Sequence, residues 1–160
     1  MRSSAIAKPG FSRTEIRRAR GEDAERLATL CAEHARYERL PACPVDHAKR
    51  LRTLLSHVVP SLHAWIAWSG NDAVGYASAT VDIATLSGAP FLHLDCLYLA
   101  EHWRGHGIGH QLFDAAVAYA GANGLAEMQW QTPEWNEDAI RFYRCSGATM
   151  LTKQRFILTL

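Results

Sequence analysis

The sequence predicts an α/β fold: a mixed, mostly antiparallel central sheet flanked by helices. Three observations carry this. Strand-like runs and amphipathic helical runs follow one another in the order β-α-α-β-β-β-α-β-α-β-β. The run 91–99, FLHLDCLYL, is almost continuously apolar, as expected of a strand covered on both faces. A glycine-rich turn then leads into a helix, a junction that builds phosphate sites.

The elements can be justified in order. TEIRRA, from Thr14 to Ala19, reads as a first strand; Gly21-Glu22-Asp23 ends it, with Asp23 or a neighbour capping a helix. From Ala24 to about Leu40, Leu27, Leu30, Cys31, His34 and Tyr37 keep the helical period, and Pro41 and Pro44 stop it. Asp46 is expected to cap a second helix carrying Leu51, Leu54, Leu55 and Val58, closed by Pro60. Leu62 to Trp68 and Ala73 to Ile83 form a hairpin about Gly70-Asn71-Asp72, and a loop from Ala84 to Pro90 leads into the apolar strand. The next helix runs from the glycine turn to about Ala122, ended by Asn123-Gly124. Glu127 to Thr132 is a fifth strand, Asn136 caps a last helix stopped by Gly147, and 149–151 with 153–160 are expected to close as a hairpin.

Bulk properties narrow the function. At 160 residues and 48% hydrophobic, the chain fits one domain, 14–160, behind a polar tail, 1–13, expected to be disordered. A formal net charge of +1 and the lack of any basic block leave no electrostatic case for nucleic acid. No apolar run approaches the ~18 residues of a membrane span, and no signal peptide is evident. Cys31, Cys43, Cys96 and Cys145 show neither CxxC nor metal spacing, which suits a reduced, cytoplasmic setting.

Two constellations carry chemistry. In Arg104-Gly105-His106-Gly107-Ile108-Gly109-His110 the alternate glycines let successive N–H groups turn inward, ahead of a helix whose positive end favours an anion. A Rossmann fingerprint fails because His110 stands where glycine is needed, and a P-loop fails for want of a Lys after Gly109. The spacing of His102, His106 and His110 suggests metal, but the glycines break any helix there and no carboxylate or Cys completes a site. The second constellation is TPEWNEDAIRFYRCSGA, where Asn136 and Tyr143 lie two helical turns apart on one face. Read from the residues alone, an ordinary cap and a packed ring explain that pair better than a site does.

Together, Arg-x-x-Gly-x-Gly after an apolar strand and Trp135-Asn136-x-x-Ala139-x-x-Phe142-Tyr143 resemble the two coenzyme A motifs of the GNAT acetyltransferases. The element order is that of the GNAT fold, and the resemblance spans roughly Thr14 to Leu160. It is closest to the spermidine/spermine-type diamine acetyltransferases, whose Trp-Asn, Leu-Glu-Asp and Tyr-Glu positions are here Trp135-Asn136, Leu94-Asp95-Cys96 and Tyr37-Glu38. Asp95-Cys96 therefore offers a shorter carboxylate and one fewer charge.

The resemblance implies acetyl-CoA as cosubstrate, with the main chain of Leu97, Tyr98 and Leu99 pairing pantetheine and residues from Arg104 or Gly105 to His110 holding the pyrophosphate. Asn136 and Ala139 would line the thiol end. Tyr143 would protonate the departing thiolate, a role its phenol suits. Asp95, in an otherwise apolar strand, is the candidate base, and Tyr37, Glu38 and Asp95 the acceptor site. The expected activity is direct acetyl transfer to a primary amine of a small molecule, polyamine-like or amino-acid-like, by a homodimer without metal. A protein N-terminus or an aminoglycoside as acceptor, or a non-catalytic acyl-CoA-binding module, are the other readings.

Overall fold

The computed structural model describes residues 13–160, which form two compact units, 13–130 and 131–160. The expected disordered tail, apart from Arg13, lies outside the described residues. The first unit holds a five-stranded sheet in the order β1-β2-β3-β4-β5, formed by Thr14–Arg18, His63–Ser69, Asp72–Ala84, Ala89–Leu99 and Met128–Gln129. Neighbours run antiparallel except β4 and β5, which are parallel. Three helices belong to this unit: α1 (Ala24–Tyr37), α2 (His47–Ser56) and α3 (Ile108–Ala122). None of the described helices is long and apolar enough to cross a membrane.

Two layers cover the sheet. Leu27 and Leu30 of α1 and Leu51 and Leu55 of α2 pack on Ala64, Ile66, Tyr76 and Tyr98. On the opposite face Trp65 meets Tyr119 of α3 edge-on, and α3 buries Ile108, Leu112, Phe113 and Ala116. Side chains alternate along a strand, so cross-strand partners share a face. The register pairs Trp65 with Ala77 and Ala77 with Leu97 on the α3 side, and Ile66 with Tyr76 and Tyr76 with Tyr98 on the α1 side.

One irregularity in β4 shapes everything around it. Ser78 pairs with Cys96 but Ala79 pairs with Leu94, so Asp95 is an extra, bulged residue. Before the bulge the even-numbered Leu92 and Leu94 face α3; after it the even-numbered Cys96 and Tyr98 face α1. The continuous apolar run is thus two alternating patterns with their parity exchanged, each half burying one face.

The element expectations largely hold, with instructive departures. The loop expected over 84–90 is shorter: β3 extends to Ala84 and β4 begins at Ala89, so only 85–88 turn. The expected fifth strand shrinks to Met128–Gln129, opposite Leu92 and His93. The bulge bends β4 just beyond that pair, and a bulge commonly ends a ladder this way. Asp46 accepts from Arg50 Nε at 2.8 Å rather than capping α2, and Asp23 likewise leaves the α1 cap unmade. The buried Asp23 carboxylate instead takes Arg17 at 2.8 and 3.0 Å and the Arg20 amide at 2.9 Å, tying the end of β1 to the start of α1.

The second unit carries α4, Glu137–Cys145. Asn136 caps it as expected, accepting the Ala139 N–H at 3.2 Å, and Gly147 follows with φ +87°. The closing hairpin is absent: 149–160 form no strand, and Phe156, Ile157 and Leu158 are exposed. Strands at 149–151 and 153–160 leave only Thr152 for a turn that needs at least two residues, and an isolated hairpin is marginal in any case.

Candidate active site

The glycine turn is built as an anion cradle. Gly105 and Gly107 take φ +77° and +78°, the left-handed region that an L side chain enters only with strain. Gly107 is the N-cap of α3, and the first helical bond, Gln111 N–H to Gly107 O at 3.2 Å, leaves the amides ahead of it directed out of the helix end. A Cβ built on either left-handed glycine would find no atom within 4 Å, so the hollow above the backbone is open. Ile108 faces the core, while His106 and His110 lie at the surface. The residues present therefore fit a pyrophosphate group.

Arg104 Nε donates to Leu99 O at 2.9 Å, and its guanidinium lies 4.5 Å from the centre of the Tyr37 ring, a cation–π contact. Leu97, Tyr98 and Leu99 follow the bulge, beyond the two residues of β4 that β5 pairs. No strand among the described residues pairs that edge of β4 there, the arrangement needed if its main chain is to bond a ligand.

Tyr37, Glu38 and Asp95, the acceptor candidates, all lie in the first unit. Tyr37 ends α1, and Glu38 follows in a turn whose next residue, Arg39, has φ +58°. The ring centre of Tyr37 lies 6.4 Å from that of Tyr98. Asp95 is exposed on the bulge, so the apolar surroundings expected of a base within the strand are not there. Its Oδ2 lies 3.5 Å from Cys96 Sγ, which can donate to it.

Several residues that the sequence reading passed over complete this cluster. His34 bridges Tyr76 and Glu38, and Tyr98 donates to Glu33 at 3.5 Å. The Tyr76 hydroxyl also lies near the Cys31 and Cys96 thiols. Burial pushes those thiols up to about 11 and about 12, and pushes the Tyr76 phenol far above its usual range. A thiol held protonated is a poor nucleophile, which counts against Cys96 as an acyl carrier. The spacing of Cys31, His34 and Glu38 on one face of α1 was visible in the sequence; their partner, forty-two residues beyond His34, was not.

In the second unit Asn136 is buried, with Oδ1 engaged in the cap. Tyr143 is half-buried, its ring edge-on to Phe142 with centroids 5.2 Å apart. Helical spacing puts Asn136, Ala139 and Tyr143 along one side of α4.

Comparison with known proteins bears on this arrangement. The chain is 27% identical over 132 residues to a thialysine N-epsilon-acetyltransferase of Caenorhabditis elegans, covering 82% of this chain and 81% of that one. It is 28% identical over 134 residues to the peptidyl-lysine N-acetyltransferase YjaB of Escherichia coli (strain K12), covering 82% and 80%. Its fold is shared with an aminoglycoside N-acetyltransferase, AAC(6')-Iy, solved in complex with CoA: TM-score 0.77 at 22% identity, over 95% of this chain and 98% of that one. Residues 27–148, which contain the bulged strand, the glycine cradle and the Asn-capped helix, match the acetyltransferase (GNAT) family, and the chain is an acetyltransferase belonging to that family.

Proposed function

We propose that this acetyltransferase, a single domain over 14–160, moves the acetyl group of acetyl-CoA directly to a terminal primary amine on a small, flexible, cationic molecule. The observation that carries the cofactor half is the pair of left-handed glycines, Gly105 and Gly107, opening onto the N-terminus of α3 beside a strand edge that β5 leaves unpaired. Amides of residues 105–110 would hold the pyrophosphate, and the main chain of Leu97–Leu99 would align pantetheine. Bound there, acetyl-CoA supplies an activated acyl group. Tyr143 gives its phenolic proton to the departing thiolate, and Asn136 and Ala139 hold the thiol end.

The acceptor half rests on Tyr37, Glu38 and Asp95. The Tyr37 face already carries a cation, the Arg104 guanidinium, and Glu38 stands beside it in sequence at the end of α1. Two relatives are named for the ε-amine of thialysine or for peptidyl-lysine, which supports a primary amine on a lysine-like arm. Asp95, exposed on the bulge, accepts the amine's proton directly or through water rather than from a desolvated pocket. A homodimer in a reducing, cytoplasmic setting belongs to the same reading; the exposed Val81, Ile83 and Leu86 of the β3–β4 hairpin and four unpaired cysteines support it.

The test is thiol release from acetyl-CoA against a panel of diamines, lysine analogues, a lysine peptide and an aminoglycoside. Turnover with diamines or lysine analogues is the expected result. Turnover confined to the peptide or the aminoglycoside would move the acceptor class, and hydrolysis or binding without transfer to any amine would overturn the reading.

A further inference from the structure

His34 is the hub of the polar cluster between α1 and strands β3 and β4, and it uses both ring nitrogens. Nε2 lies 3.2 Å from Glu38 Oε1, and Nδ1 lies 2.9 Å from the Tyr76 hydroxyl. The ring stacks on Tyr98, centroids 5.0 Å apart and planes 21° from parallel, and meets Tyr76 at 70°. Water reaches the contact poorly: the His34 and Glu38 side chains are 12% and 21% exposed.

These bonds fit one tautomer. A carboxylate can only accept, so the Nε2 that faces Glu38 bears the hydrogen and donates to it. Nδ1 of that tautomer is an acceptor, and the Tyr76 hydroxyl donates to it. A neutral imidazole satisfies both contacts at once.

We propose that His34 is the positioning residue of the acceptor site: anchored at Nδ1 by the Tyr76 hydroxyl, its Nε2–H holds the Glu38 carboxylate where an acceptor ammonium group can meet it. The proposal rests on the reading of Glu38 as an acceptor contact. The groups around the imidazole are Cys31, Glu33, Tyr37 and Glu38 from the α1 side, Tyr76 from β3, and Cys96 and Tyr98 from β4; Asp95 stands behind Cys96, and Arg104 lies over Tyr37 and Tyr98. Burial holds both thiols and the Tyr76 and Tyr98 phenols in their neutral forms through the physiological range, Glu33 adding to the effect at Tyr98.

The experiment uses the full chain in two arms. In the first, two-bond proton–nitrogen spectra of the histidine rings are recorded, with His34→Gln assigning the signal. An Nε2–H tautomer is expected, and an Nδ1–H tautomer overturns the proposal without any assay of activity. In the second arm, KM for 1,3-diaminopropane and for acetyl-CoA is measured for the parent, His34→Leu, His34→Gln and Glu38→Gln. His34→Leu should raise the amine KM roughly tenfold, as expected for loss of one charged hydrogen bond, while KM for acetyl-CoA stays the same. His34→Gln, whose amide N–H can still donate to Glu38, should recover part of that loss. A Glu38→Gln enzyme with unchanged amine KM would remove Glu38 from the acceptor site. If Glu38→Gln raises that KM but His34→Leu leaves it at the parent's value, the role of His34 alone is refuted.

Discussion

Replacing Gly107 by valine tests the anion cradle where it is most exposed to failure. Gly107 has φ +78° and ψ −3°, a conformation that costs an L residue about 1–2 kcal/mol and a β-branched one more. The loop can relieve that strain only by rotating its amides, since nothing lies within 4 Å of a Cβ placed there and packing neither resists nor compensates. An amide bonded to a charged phosphate oxygen contributes about 1.5–3 kcal/mol. Withdrawing one or two of them, with a branched side chain now in the hollow, should weaken coenzyme A binding by about 10² or more, since each 1.4 kcal/mol is tenfold. Calorimetric titration with coenzyme A measures the loss directly. Gly70→Val is the matched control: φ is +58° in the β2–β3 turn, again with open space around the Cβ, so it carries the backbone cost without touching the cradle. The reasoning is refuted if Gly107→Val binds coenzyme A within twofold of the parent, or if Gly70→Val weakens binding as much.

Tyr143→Phe should lower kcat by about 10²–10⁴-fold with KM for acetyl-CoA little changed, as for loss of a general acid; a rate within twofold, with chemistry rate-limiting, leaves the residue as packing. Asp23→Asn should cost about 1–3 kcal/mol in urea unfolding, because it weakens charged bonds to Arg17 and Arg20. Burial pushes that carboxyl up, but the Arg17 guanidinium and the Arg20 amide outweigh it and hold it below the usual carboxylate range. Its contribution is therefore complete above about pH 4 and lost as pH falls through the lowered value, so the variant's stability should fall less steeply than the parent's at acid pH; parallel acid limbs would contradict this. Leu112→Ala, at a fully buried position of α3, should lose about 2–5 kcal/mol in the same measurement, and a loss under 1 kcal/mol would mean the α3 face repacks freely.

The sequence showed its periodic parts clearly. Leu27, Leu30, Leu51 and Leu55 repeat at helical spacing because α1 and α2 each bury one stripe, and the glycines at 105 and 107 mark left-handed backbone that few other residues adopt. The bulge at Asp95 was hidden because inserting one residue into a strand buried on both faces leaves the run apolar throughout. That single concealed residue also shortened β5 and brought Asp95 to the surface. His34 was read as helix lining because its partner, Tyr76, comes from strand β3, forty-two residues on, and only the fold brings them together. The last twelve residues misled by composition: Phe156, Ile157 and Leu158 have strand propensity, yet propensity supplies no ladder to pair with.

The bulge also has an evolutionary reading. Leu94 belongs to the packing beneath α3 and Cys96 to the layer beneath α1, so substitutions at either are constrained by tightly fitted neighbours. Asp95 is claimed by neither layer. Under the acceptor role proposed for Asp95, exchanging its side chain for a longer acid, an amide or a neutral group alters what an incoming amine meets while the core beneath stays as it was. On that reading acceptor preference can drift at position 95 almost independently of foldability, and a lineage could explore new amines there one codon at a time.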